Sequence, residues 1–171
     1  TGRAFALASP ASTQEVSELV KLCAAHGVPI VPQGGNSGMV GGATPDESGT
    51  ALLLSLRRMN AVRTFDAETR QITCEAGVVL QTLHEAVAAH GLRFPLTLGG
   101  KGSATVGGLI STNAGGNQVL RHGSMRALVL GLAASGAALA QAPITLHGAV
   151  QFNDDHAFNR TLVRFQELVA K

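Results

Sequence analysis

Apolar and polar positions along the chain switch repeatedly between a strand rhythm and a helix rhythm. Residues 4–7 form a short strand candidate, after which Ser12-Thr13-Gln14-Glu15 reads as a capping box opening an amphipathic helix through about His26, with Gly27 as its stop. The apolar stretch Val28-Pro29-Ile30-Val31-Pro32 then runs straight into Gln33-Gly34-Gly35-Asn36-Ser37-Gly38. Strand, helix, strand predicts a small βαβ unit with a right-handed connection. A further apolar run covers 52–56. Residues 61–66 and 70–76 alternate around Asp66-Ala67-Glu68-Thr69, the pattern of a hairpin. From there Val79, Leu80, Leu83, Val87 and Ala88 keep helical spacing to His90, and Gly91 is the expected end. Residues 95–124 read as glycine-rich loop, and 127–132 as a strand that turns back at Ser135-Gly136. Parallel and antiparallel signals are mixed, which predicts the α+β class.

Residues 133–142 are almost all alanine, serine or glycine, a seam with little side chain to fill a core. Beyond it, 145–153 reads as a strand. Asn153 or Asp155 would cap a helix over about 156–171 that carries Phe158, Leu162, Phe165 and Leu168 on one face.

Composition narrows the field. At 171 residues one domain is the default, and 45% apolar with 14% charged residues suits a globular protein. A formal charge of +2, scattered along the chain, argues against a nucleic-acid footprint. Cys23 and Cys74 stand alone, without CxxC or Cys/His spacing, and read as free thiols in a reducing compartment. No apolar run approaches the ~18–20 residues of a membrane span. A cytoplasmic protein is expected, although an opening on Thr1 leaves a trimmed leader open.

Glycine is the anomaly: 21 residues, nearly twice the usual share of about 7%. Twelve of them fall in two loops, five between Gly34 and Gly42 and seven between Gly99 and Gly116. Glycine permits close backbone approach, so successive main-chain N–H groups can converge on an anion such as a pyrophosphate. Asn36, Ser37, Ser103, Thr105, Ser111, Thr112 and Asn113 would add neutral hydrogen-bonding groups. A β-carbon at Gly35 or Gly107 is expected to push the backbone away from such phosphates. No GxGxxG follows a strand, and Gly100-Lys101-Gly102-Ser103 lacks the earlier glycine and the adjacent Ser/Thr of a P-loop.

The segment Pro32-Gln33-Gly34-Gly35-Asn36-Ser37-Gly38-Met39-Val40-Gly41-Gly42-Ala43-Thr44-Pro45 resembles the first pyrophosphate loop of the FAD-linked oxidase family with the vanillyl-alcohol-oxidase-type (PCMH-type) fold. Gly99-Gly100-Lys101-Gly102-Ser103-Ala104-Thr105-Val106-Gly107-Gly108, continued by Ser111-Thr112-Asn113-Ala114-Gly115-Gly116, resembles the second. Leu120-Arg121-His122-Gly123 and Leu128-Val129-Leu130-Gly131-Leu132 also match. The Lys-Gly-Ser element resembles especially the D-2-hydroxyglutarate and D-lactate dehydrogenase branch.

The resemblance covers roughly residues 1–140 and implies an FAD-binding domain of two small α/β lobes, one over about 1–56 and one over about 61–140, with 141–171 a poorly matched tail. FAD would lie between the lobes. Pro32, Gly34, Gly35, Asn36, Ser37 and Gly38 would contact it from one side, and Gly102, Ser103, Thr105, Gly107, Gly108, Ser111, Thr112 and Asn113 from the other. The first loop has no histidine or cysteine, so non-covalent FAD is expected. The implied reaction is oxidation of a D-2-hydroxy acid by hydride transfer to the flavin, with a protein or quinone as electron acceptor.

The second lobe reads as incomplete, because the family's Asn-Thr-Gly-Tyr-like and Gly-Ser-Glu-Gly-Thr-Leu-Gly-like stretches have no counterpart here. The family's substrate domain, with its metal-binding and catalytic histidines, also lacks one, so no catalytic residue and no metal site is assigned. His84-Glu85 opens like a zinc-protease helix, but Ala88 stands where the second histidine is required. His147 and His156 read as surface or capping residues, Asp154-Asp155 as a solvated helix start, and His122 as either flavin-adjacent or structural. Two alternatives stay open: a non-catalytic flavin-binding remnant, and a related sugar-nucleotide reductase.

Overall fold

The computed structural model describes residues 2–132, which fall in one compact unit. Its elements are β1 (Ala6–Ala8), α1 (Thr13–Ala25), β2 (Ile30–Gln33), β3 (Leu52–Ser55), β4 (Val62–Asp66), β5 (Gln71–Cys74), α2 (Leu80–Ala88), α3 (Val106–Ser111), α4 (Val119–His122) and a 3₁₀ turn (Met125–Leu128). This mixture of helices with separate parallel and antiparallel sheets is the expected α+β class.

The predicted β–α–β unit forms, but its two strands are not neighbours. β3 lies between them, parallel to both, with Leu52 opposite Ala6 on one side and Ile30 on the other. Leu52 and Leu54 are buried, which explains the unbroken apolar run: a strand flanked on both edges and covered on its faces has no polar rhythm. The chain between β2 and β3 therefore leaves one edge of the sheet, forms the first glycine loop, and returns through the middle.

Both long helices obey their terminal signals. Ser12 Oγ accepts from the Glu15 amide at 3.2 Å, while the Glu15 carboxylate accepts from the Ala11 amide at 2.7 Å, one residue earlier than the usual capping box. Gly27 and Gly91, at φ +64° and +69°, end α1 and α2 in the same way. In each, the next amide bonds back across the last turn, Val28 to the Cys23 carbonyl at 2.8 Å and Leu92 to the Val87 carbonyl at 3.1 Å.

The hairpin β4–β5 turns on Asp66, whose Oδ1 accepts from the amides of Glu68 (2.9 Å) and Thr69 (3.1 Å). At its open end the Glu75 carboxylate accepts from the Ala61 amide at 2.7 Å and pairs with Arg63. Gly77 follows, packed so closely on the Leu56 and Met59 carbonyls that no side chain fits. This junction leads into the main core: Val78, Leu80, Leu83 and Val87 bury against Leu96, Ala104, Val106, Leu109 and Met125. Each fully buried leucine there contributes about 1.5–3 kcal/mol. His84 joins the structure rather than a metal site, with Nε2 2.9 Å from the Leu96 carbonyl oxygen.

Two elements differ from expectation. Residues 99–116 are not loop throughout, because α3 forms where Thr105 caps Val106-Gly107-Gly108-Leu109-Ile110. Val106, Leu109 and Ile110 keep helical spacing, and their burial outweighs the poor helix propensity of two glycines. Residues 127–132 do not pair as a strand among the described residues. The 3₁₀ turn takes the first two of them, and only from Val129 (φ −97°, ψ 122°) is the backbone extended, with Leu130 and Leu132 exposed. A strand needs a ladder partner, and none of the described residues supplies one. The seam at 133–142, the strand at 145–153, the helix at 156–171, the domain limit at 140, and His147, His156 and Asp154-Asp155 lie outside the described residues. Among the described residues, no helix is long and apolar enough to cross a membrane.

Candidate functional site

The first glycine loop springs from the end of β2, where Pro32 is exposed and Gln33 reaches across the loop to bond the Ala43 carbonyl at 2.8 Å. That clip, with Thr44 N donating to the Gly41 carbonyl at 2.9 Å, pins the far limb while the tip stays outside. Beyond it, Asp46 accepts from the Ser48 hydroxyl and amide, which holds its carboxyl below its ordinary value. Among the described residues, no oxygen accepts from the amides of Gly34, Gly35, Asn36, Ser37 or Gly38. Asn36 has φ +50°, a left-handed residue within the run, the conformation that turns successive N–H groups to one concave side. Asn36, Ser37 and Gly38 are exposed, and a β-carbon on Gly38 would meet nothing within 4 Å. Met39 and Val40 at the tip are also solvent-exposed.

The second loop is directly beneath the first. A β-carbon on Gly34 would strike Thr105 Oγ1, and one on Gly35 would strike the Ser103 carbonyl; Gly100 packs on Ser37. These contacts bring Gly34 to Thr105, Gly35 to Ser103 and Ser37 to Gly100. The absence of a side chain at Gly35 thus has its reason inside the protein, in the closeness of the two loops. The same holds for Gly107, whose β-carbon would lie 2.9 Å from that of Ala76.

Unlike the first, the second loop has most of its amides filled. Ser103 and Ala104 donate to the Gly100 carbonyl, Val106 to Val78 (2.8 Å), Gly107 to Ala76 (2.8 Å), and Gly108 to Thr105 Oγ1 (3.4 Å). The hydroxyls of Ser111 and Thr112 donate to the Gly107 and Gly108 carbonyls at 2.8 and 2.9 Å, leaving both residues on the exposed end of α3. Asn113, at φ +47°, accepts with Oδ1 from Ser124 Oγ (2.8 Å) and the Arg126 amide (2.9 Å), tying the end of the loop to the 3₁₀ turn. Gly102 is exposed with open space where a side chain would be. His122 ends α4, away from the contact between the loops, and lines a separate cavity.

A row of unfilled N–H donors on a fixed loop can hold an anion whose charge is spread over several oxygens, without a metal or a paired lysine. Among the described residues no three His, Cys, Asp or Glu side chains converge. Sequence reasoning left two contributors unassigned. Gln33 was visible in the motif but its role as a clip was not, and Ala76 is distant in sequence from the glycine that packs on it.

A family model described as an FAD binding domain matches residues 4–137. The chain belongs to the FAD-binding domain family. A D-2-hydroxyglutarate dehydrogenase, mitochondrial, from Bos taurus is 45% identical over 133 residues, covering 77% of this chain and 24% of that protein. A putative D-lactate dehydrogenase, mitochondrial, from Schizosaccharomyces pombe is 45% identical over 127 residues, 73% of this chain and 23% of the relative. Among solved structures, alkyldihydroxyacetonephosphate synthase superposes with a TM-score of 0.63 at 28% identity, covering 69% of this chain and 22% of that one. The chain thus spans about a quarter of the length of the curated relatives it matches. Its resemblance to the D-2-hydroxyglutarate and D-lactate dehydrogenase branch is borne out by these relatives.

Proposed function

We propose that this FAD-binding domain holds non-covalent FAD by its diphosphate on the amides of residues 34–38, within an oxidoreductase that oxidises a D-2-hydroxy acid. The observation that carries the reading is the row of five amides without an acceptor among the described residues, on a loop fixed from below by Ser103 and Thr105. Such donors fit a diphosphate, since a protein without that ligand leaves them only to water. Pro32, Gly34, Gly35, Asn36, Ser37 and Gly38 form this side. On the other side Gly102, Ser103, Ser111 and Thr112 offer exposed groups to the cofactor, while Thr105, Gly107, Gly108 and Asn113 hold the second loop in shape.

FAD, when bound, supplies the hydride acceptor. The residues in contact between the loops are glycines, serines and a threonine, so they orient and exclude water but cannot take the substrate's hydroxyl proton. The base belongs elsewhere in the enzyme, as does the site for its electron acceptor. Relatives named D-2-hydroxyglutarate and D-lactate dehydrogenase support a D-2-hydroxy acid substrate. Two free thiols support a reducing compartment, cytoplasmic or, as in several relatives' names, mitochondrial.

Purified chain mixed with FAD and desalted should keep the flavin's visible absorbance, and anaerobic D-2-hydroxyglutarate or D-lactate tests turnover. Bleaching supports the enzyme reading in this chain itself. Retained colour without bleaching assigns it flavin binding alone, with the base supplied by the rest of the enzyme. A colourless product sinks the flavin reading.

A further inference from the structure

The parallel sheet has two edges, β1 and β2, and they are finished differently. On β2 the Pro29 carbonyl accepts from the Leu52 amide at 2.8 Å and the Gln33 carbonyl from the Leu56 amide at 3.2 Å, so Ile30 and Pro32 turn their backbones outward. Pro32 has no N–H to offer a further strand, a common guard on a sheet edge. β1 alternates in the same way: the Phe5 amide donates to the Ala51 carbonyl at 3.1 Å, and the Ser9 carbonyl accepts from Arg58 at 2.8 Å. Ala4, Ala6 and Ala8 therefore turn their N–H and C=O groups to the open edge, where no described residue meets them. Residues 4–8 contain no charge, proline or glycine to discourage pairing there. Phe5 and Leu7, two apart and so on one face of the strand, are 59% and 65% exposed.

We infer that two copies of this chain associate edge to edge through β1, antiparallel about a two-fold axis at Ala6. In that register Ala6 exchanges backbone bonds with Ala6 of the second copy, and Ala4 with its Ala8, so the whole outward row is filled. Phe5 lies across from Leu7 of the second copy, and Leu7 across from its Phe5. The same aromatic–aliphatic pair is thus made twice by exposed side chains. Arg3 falls opposite Ser9, so no like charges meet across the strands. The contact uses the same surface on both copies and closes on itself, which stops assembly at two. The first glycine loop springs from β2, at the other edge of the sheet, so it stays free in the pair. The inference therefore does not depend on the flavin reading.

The test is sedimentation equilibrium of the full chain without FAD, from micromolar to submillimolar concentration, with amide hydrogen exchange by NMR at both ends of that range. The mass is expected to rise to that of two copies and no further. The amides of Ala6 and Ala8 should slow as the pair forms, while that of Phe5, already bonded to Ala51, changes little. Leu7→Lys removes the apolar pair from both halves and should weaken association about tenfold or more, with an unchanged thermal midpoint because the side chain is largely exposed. Leu120→Lys changes an equally exposed leucine outside the sheet and should leave association as it was. A single-copy mass at every concentration would overturn the contact. So would growth beyond two copies, association that Leu7→Lys leaves intact or Leu120→Lys abolishes, or exchange at Ala6 and Ala8 that ignores concentration.

Discussion

The two glycine loops look alike in composition and differ in what their backbones do. In the first, five consecutive amides from Gly34 to Gly38 have no acceptor among the described residues. In the second, Val106, Gly107 and Gly108 all donate inward, to Val78, Ala76 and Thr105, and the hydroxyls of Ser111 and Thr112 turn back on their own helix. Glycine therefore serves two ends in one site. Gly35 and Gly107 are small because protein backbone or a protein side chain occupies the space, whereas Gly38 and Gly102 face open space. The first loop offers donors and the second is the platform that holds them still.

The sharpest way to break this contrast is Gly35→Val. Its side chain would enter the Ser103 carbonyl, which belongs to backbone and cannot swing aside, so a loss of about 3 kcal/mol or more in chemical denaturation is expected. Asn113→Ala should come next. It strips the acceptor from the Ser124 hydroxyl and the part-buried Arg126 amide, costing about 2 kcal/mol, read as a lower midpoint with an unchanged slope.

Acid acts more gently, through Glu75 at the hairpin's open end and Asp46 beyond the first loop. Bonds from the Ala61 amide and then from Arg63 hold the Glu75 carboxyl below its ordinary value, and the Ser48 hydroxyl and amide do the same for Asp46. A carboxyl lowered by folding contributes stability that is fully present above its unfolded value, about 4, and is lost as pH falls through the folded one. Stability should therefore be flat near neutrality and fall in acid, and Glu75→Gln should remove part of that slope; a slope identical to wild type would contradict the Glu75 assignment.

The smallest effect on stability is the most informative. Gly38→Ala, with nothing near the new methyl, should change unfolding by less than about 0.5 kcal/mol. In the same variant FAD affinity, followed by quenching of flavin fluorescence, should fall about tenfold, which is about 1.4 kcal/mol of binding. Unchanged affinity would mean that the loop tip faces solvent, not cofactor.

Much of this was readable from local chemistry. Ser12 with Glu15, the stops at Gly27 and Gly91, and the Asp66 turn act within a few residues, and each appears where the pattern puts it. The two glycine loops were legible as places of close backbone approach. Their division of labour was not, because it depends on partners far away in sequence: Gly35 on Ser103, Gly107 on Ala76. The insertion of β3 between β1 and β2 is likewise a matter of pairing, which an apolar run cannot specify. α3 was hidden by its glycines, although Thr105 before Val106, Leu109 and Ile110 is a cap followed by helical spacing. At 127–132 the apolar run reads as a strand, yet a 3₁₀ turn takes Ala127 and Leu128, because short-range bonds such as Ala127 N to the Ser124 carbonyl are available and no described residue supplies a ladder.

The most direct measurement is amide NMR on the labelled chain titrated with FAD, with ADP as the diphosphate fragment. The account predicts that the amides of residues 34–38 move and slow in hydrogen exchange, while those of Val106, Gly107 and Gly108 keep their shifts and their bonds to Val78, Ala76 and Thr105. Movement centred on 106–108 with residues 34–38 unaffected would contradict it.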